Sequence, residues 1–367
     1  MLVKYLYHDI LPSPKRLYNP LGFLHNYALG EVIVVISPFF DRLPSQFLNH
    51  IPISQYSLIM TPFPPMTMED TMPIVTASML EDVQDILAIM RRQEMSHYRR
   101  SDYLAEIRPE VDRVVDGSWR QRIIEWMYGV VDHCSLRRDS VAVAAYYVDL
   151  CVIKGVINSR EEFQLAAMTA LQLAIKLYDS TMVTLKSMVK LGRGLFSEED
   201  VIEMEAKMLK ALNWQVHPPT PACFLRQFLR LLPPTVSPLT RYMIAEVTRF
   251  ISEISVCLYR FVKYSPSAVA YAGMLIAMER VDEVSLPIWQ RQQIFSAMSN
   301  AVKLEHTSPE VVAAVKDLHH SLQKNITLKE LMDTIDAQCH DGYNNFRSVE
   351  YICHGGMNSP RDVTGRH

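Results

Sequence analysis

Along WRQRIIEWMYGVVDH, residues 119–133, apolar side chains return every third or fourth position. Trp119, Ile123, Trp126 and Val130 form one row; Ile124, Met127 and Val131 form the row beside it. Together they make an apolar helical face about 100° wide, with Gln121, Arg122, Glu125 and Asp132 off it. Arg120 is the exception, because it begins the second row and sits on the face meant to pack.

The same periodicity predicts helices over 139–154, 162–178, about 181–190 and 197–213. From Phe163 to Leu177, 11 of 15 residues are apolar, so that helix is expected at the centre of a bundle. Ser197 precedes three acids and reads as an N-cap. HPPTP at 217–221 halts the helical pattern and reads as a linker. Five further helices are predicted over about 221–232, 239–259, 265–280, 286–303 and 308–324. The third of these is Ala-rich and apolar all round, with Ser265 as cap and Pro266 in its first turn. No period-two strand pattern appears after residue 78. The expected fold is all-α: two tandem five-helix bundles preceded by an N-terminal helix.

That leading helix starts at a capping box, Ser78 and Glu81, and carries the stripe Leu80, Val83, Leu87, Met90. Residues 1–77 are rich in Pro, Tyr and Phe and lack helical period, so a poorly ordered arm is expected there. The remaining divisions are 78–218, 219–325 and a tail over 326–367.

Charge sharpens the picture. Asp149 shares a row with Ala142, Tyr146 and Ile153, so one predicted helix brings a buried cation and the next a buried anion. A lone buried charge is costly and a hydrogen-bonded pair offsets that, so Arg120 is expected to pair with Asp149. Lys176 ends the central helix, and Glu205 lies on the row Val201, Glu205, Met208, Leu212. They read either as a second ion pair or as polar groups at the bundle mouth that hydrogen-bond another protein. Net charge over 367 residues is −3, so nothing points to nucleic acid. The first 14 residues lack the apolar run of a signal peptide, and VIVVI at 32–36 is too short to span a membrane. The six cysteines are scattered, as in an intracellular protein with reduced thiols. Cys339-His340 and Cys353-His354 do not suit a zinc site, and no cofactor or metal is expected. No phosphate loop or nucleophile–base arrangement stands out, so no enzyme is expected. Thr61-Pro62 and Ser359-Pro360 fit proline-directed phosphorylation.

Several segments, in order, resemble the cyclin family. WRQRIIEWMYGVV is similar to the opening of the cyclin box, MR-A-I-L-x-D-W-L-x-E-V, with Arg120, Glu125 and Trp126 on its Arg, Asp and Trp. AAYYVDLCV resembles AxNYxDRFL, with Asp149 on the Asp. FQLAAMTALQLAIKLYD resembles LQLxGxxALxLASKYEE, and VIEMEAKMLKALNWQVHPPTP the ExxxLxxLxWxLxxPTP close, with Glu205 on the Glu. LYRFVKYSPSAVAYAGMLIA is similar to the second fold's ExxFLKYxPSxIAAAALLLA.

The resemblance, over roughly 80–325, implies two tandem five-helix cyclin folds and a cell-cycle regulatory subunit of a cyclin-dependent kinase, acting in nucleus and cytoplasm. It implies kinase contacts at Lys176 and Glu205, with Leu177, Leu209 and Trp214 as apolar contacts around them. ATP and Mg²⁺ would belong to the kinase. Kinase substrates or inhibitors that carry Arg-x-Leu would dock on Trp119, Ile123, Trp126 and Gln164. Gly129 stands where the family's acid would meet the peptide's cation, so weak docking is expected. KLYD replaces KYEE, and no R-x-x-L or KEN signal occurs in the first 110 residues. The alternatives are a transcription-type cyclin and a tandem cyclin-fold general transcription factor. The latter would need a zinc ribbon and basic faces, which the sequence lacks.

Overall fold

Short polar side chains that accept first-turn N–H groups fix most helix starts. Asp116, Ser159, Ser197, Thr220 and Ser237 each accept such a bond, and Ser197 with Asp200 completes a reciprocal capping box. The computed structural model describes residues 77–99, 102, 116–179, 183–192 and 194–324, together with 329, 330, 332 and 333. The arm before residue 77, most of the tail, Thr61-Pro62, Ser359-Pro360, both Cys-His pairs and the Ser78 side chain lie outside the described residues.

All regular structure among the described residues is helical. The helices are α1 (Ala77–Ser96), α2 (Gly117–His133), α3 (Asp139–Ile153), α4 (Arg160–Tyr178), α5 (Leu185–Leu191) and α6 (Glu198–Ala211). After the proline linker come α7 (Pro221–Arg230), α8 (Pro238–Cys257), a 3₁₀ turn at Tyr259–Phe261, α9 (Pro266–Glu279), α10 (Ile288–Val302) and α11 (Pro309–Lys324). The α5 helix starts later than its periodicity suggests, because Thr184 caps it.

Two apolar cores result. The first gathers α2–α6 around α4, whose Phe163, Ala166, Ala167, Ala170, Leu171 and Ala174 are wholly buried. The second gathers α7–α11 around α9, with Ala268, Ala270, Tyr271 and Met274 wholly buried. Alanine along both central helices lets the flanking backbones approach closely. Sequence position groups α1 with the first bundle, but its buried face belongs to the second. Val83 and Leu87 enter the second core, where α1 packs on α7 and α10. Leu80, expected on the same stripe, stays exposed.

The expected Ser265 cap is replaced. Ser265 occupies the N-cap of α9, but its side chain does not cap. Glu94 of α1 instead accepts the Ser267 N–H at 2.9 Å and the Ser267 hydroxyl, and Glu310 of α11 accepts the Ser265 N–H at 2.7 Å. Two carboxylates thus sit where the helix dipole favours negative charge. Burial pushes the Glu94 carboxyl above its ordinary range, although bonds from Ser267 and Arg91 oppose the rise.

Candidate functional site

Arg120 sits at the junction of the two bundles. Its Nε lies 2.6 Å from Asp149 Oδ1 and a terminal nitrogen 2.9 Å from Oδ2, with both residues buried. The other terminal nitrogen donates to the carbonyls of Val256 (2.9 Å) and Cys257 (3.3 Å), at the end of α8. The expected two-helix pair is therefore a three-way joint, and its third arm caps a helix C-terminus from the other bundle. A second joint lies nearby. Arg138 pairs with Asp132 of α2 and, at 2.8 Å, with Glu253 of α8, and lies over the Tyr128 ring. Burial raises the Glu253 carboxyl, and Arg138 works against that rise.

The rigid frame holds a polar pair at the mouth of the first bundle. Lys176, in the last turn of α4, donates to Glu205 of α6 at 2.6 Å. Their side chains are 43% and 22% exposed, so both keep hydrogen-bonding capacity toward solvent. Met204, rather than Glu205, completes the core row with Val201, Met208 and Leu212, which moves Glu205 to the bundle's edge. Leu177 is exposed beside the pair, and Leu209 is half-buried against the core.

Trp214 follows at the C-terminal end of α6 and has an unusual backbone. Asn213 and Trp214 both have left-handed backbones, φ +48° and +59°. They close α6, with the Trp214 N–H reaching the Leu209 carbonyl at 3.0 Å. Asn tolerates that conformation, but for a bulky residue it costs about 1–2 kcal/mol. The ring does not recover this by burial, since Trp214 is 72% exposed. Ile202, exposed one turn before Glu205, was not singled out from the sequence. Its only signal is an apolar residue off the core row, at i−3 from Glu205 and i−7 from Leu209.

The four residues expected to dock peptides are not brought to one open surface. Ile123 is wholly buried and Trp126 is 5% exposed, because their row faces the first core. Trp119 and Gln164 are half-buried. Trp119 is flanked by the guanidinium groups of Arg122, at 5.6 Å, and Arg160, at 5.2 Å. A Cβ on Gly129 would meet nothing within 4 Å, so the missing acid leaves open space.

Comparison with known proteins gives matches to two families, "Cyclin, N-terminal domain" over residues 85–217 and "Cyclin, C-terminal domain" over 219–336. Cyclin-A2-3 of Arabidopsis thaliana is 25% identical over 235 residues, 64% of this chain and 48% of that protein. G2/mitotic-specific cyclin-2 of Medicago sativa is 25% identical over 201 residues, 53% of this chain and 59% of that one. The chain thus spans about half the length of the curated relatives it matches. A viral cyclin from herpesvirus saimiri has a TM-score of 0.49 at 15% identity, covering 68% of this chain and 99% of the viral one.

Proposed function

The chain belongs to the cyclin family, and on that premise we propose that it binds and activates a cyclin-dependent Ser/Thr protein kinase. The observation that carries the reading is Trp214, held exposed in a costly backbone conformation where α6, the helix that carries Glu205, ends. Strain that the free chain does not relieve is expected where a partner covers the ring. Ile202, Leu177 and the edge of Leu209 extend the apolar area around the pair. That mixture of exposed aromatic and aliphatic groups around fixed polar groups suits a protein helix better than a small substrate.

In this reading the chain contributes no catalytic group. Docked on α4 and α6, the kinase's C-helix is held inward, so that the kinase's own Lys–Glu pair forms. Lys176 and Glu205 orient it by hydrogen bonds, and the apolar rim excludes water. Nucleotide and Mg²⁺ stay with the kinase, and the complex works in nucleus and cytoplasm. A relative named for G2 and mitosis supports a cell-cycle role over a transcription-type one.

The test is Lys176→Ala with Glu205→Ala. An exposed ion pair contributes about 0–1 kcal/mol to folding, so the variant should melt near the parent. Each partner group left desolvated and unpaired costs about 1–3 kcal/mol, so two losses weaken kinase binding roughly 30-fold or more. A variant that melts normally and activates the kinase fully would refute the assignment.

A further inference from the structure

On the second bundle, far from the kinase face in sequence, an open groove of about 870 Å³ runs between the 3₁₀ turn after α8 and the outer side of α11. Arg260 and Lys263 form one wall; Lys316, His319, His320 and Gln323 line the other, with Asp317 between. Asp317 is already engaged, by Lys263 at 3.3 Å and by the Tyr264 hydroxyl at 2.7 Å. His319 faces Glu279 at 3.1 Å. Among the described residues, neither Arg260 nor Lys316 has an acid within ion-pair distance, and both are exposed. The concentration of cations does not follow from bulk composition, since the whole chain carries −3.

We propose that this groove docks an acidic segment, a run of Asp and Glu side chains, from a protein partner. The sign of the charge sets the chemistry, and its spacing sets the shape. Lys316, His320 and Gln323 fall at i, i+4 and i+7 along α11, a span of about 10 Å. Donors spread over that length match successive carboxylates on an extended chain. A single phosphate needs donors that converge on one point. Like charges held along one groove repel, and an acidic strand laid between them removes that repulsion as it binds. The groove is open and solvated, so the interaction is salt-sensitive and fast, contributing recruitment more than tight affinity.

The experiment uses the full chain and fluorescence anisotropy. Three labelled peptides are compared: one with a run of Asp and Glu, its Asn/Gln counterpart, and a neutral peptide with one phosphoserine. The acidic peptide should bind, the amide peptide should not, and raising salt from about 50 to about 300 mM should weaken binding several-fold. Arg260→Glu with Lys316→Glu should weaken it at least about tenfold. Lys154→Glu, an exposed reversal at the end of α3, should leave it unchanged. If the double reversal melts early, Arg260→Gln with Lys316→Gln replaces it and should also weaken binding. Equal binding of acidic and amide peptides, unchanged binding by the charge variants, or tighter binding of the phosphoserine peptide would each overturn the proposal. None of these results depends on kinase binding, so this inference and the proposed function fail separately.

Discussion

Replacing Arg120 by methionine removes the joint between the bundles while keeping most of the side-chain volume. The loss has two parts. Asp149, wholly buried, keeps its carboxylate without the guanidinium at 2.6 and 2.9 Å, and breaking such a buried pair costs about 3–5 kcal/mol. The Val256 and Cys257 carbonyls lose a charged donor, at about 1 kcal/mol each. A total of roughly 5–7 kcal/mol is comparable to the whole stability of many domains. Asp149→Leu should cost less, because Arg120 keeps its two carbonyl acceptors. The double variant removes both charges and should recover much of the loss, as replacing buried pairs by apolar residues often does. The assay is urea unfolding of the four proteins, with coupling taken from the cycle. Coupling within about 0.5 kcal/mol of zero would show that the pair contributes nothing as a pair.

Trp214→Gly should leave melting unchanged or raise it, because glycine adopts φ +59° freely and little burial is lost, yet it should abolish kinase binding. A kinase pull-down that is unaffected would remove the main support for that face. Gly129→Ala should stabilise α2 by about 1 kcal/mol, since the Cβ meets no neighbour. Gly129→Glu should tighten an Arg-x-Leu peptide by restoring an acid in open space; calorimetry showing no gain would mean the buried Ile123 and Trp126, not the missing charge, limit docking. Glu94 has a raised carboxyl, so the native state takes its proton more readily than the unfolded chain. Stability is therefore lost as pH rises from the ordinary glutamate value near 4.5 through the folded one. Melting of Glu94→Gln against the native protein should shift in the variant's favour over that window, and a constant difference would count against the burial argument.

Legibility followed sequence distance. The apolar rows of α2, α3 and α4 lie within one helix each, and the structure keeps them nearly to the residue. Asp149 was found because Arg120 announced a missing partner of opposite sign. The third arm of that joint was invisible, since Val256 and Cys257 act through backbone carbonyls 136 and 137 residues away. Any residue supplies such a carbonyl, so no side chain marks it. The cap on α9 misled for a related reason: Ser265 has the right type and place, but Glu94 and Glu310 approach from α1 and α11. On the candidate face, Lys176 and Glu205 broke an apolar pattern and could be seen. The conformation of Trp214 could not, because tryptophan gives no sign of a left-handed backbone.

The placement of α1 has a consequence for synthesis. It leaves the ribosome before either bundle, yet Val83 and Leu87 pack in the second core, against α7 and α10. Its last partners are made some 200 residues later, so at about 5–20 residues per second its apolar face waits roughly 10–40 s. The first bundle can close in that interval without α1. The nascent chain therefore carries an undocked amphipathic helix ahead of both bundles, with Ile86, Ile89 and Met95 exposed even when docking is complete. Val83 and Leu87 are covered only when α1 docks on α7 and α10, and the second core is complete only when α11 adds Val311, Ala314 and Leu318.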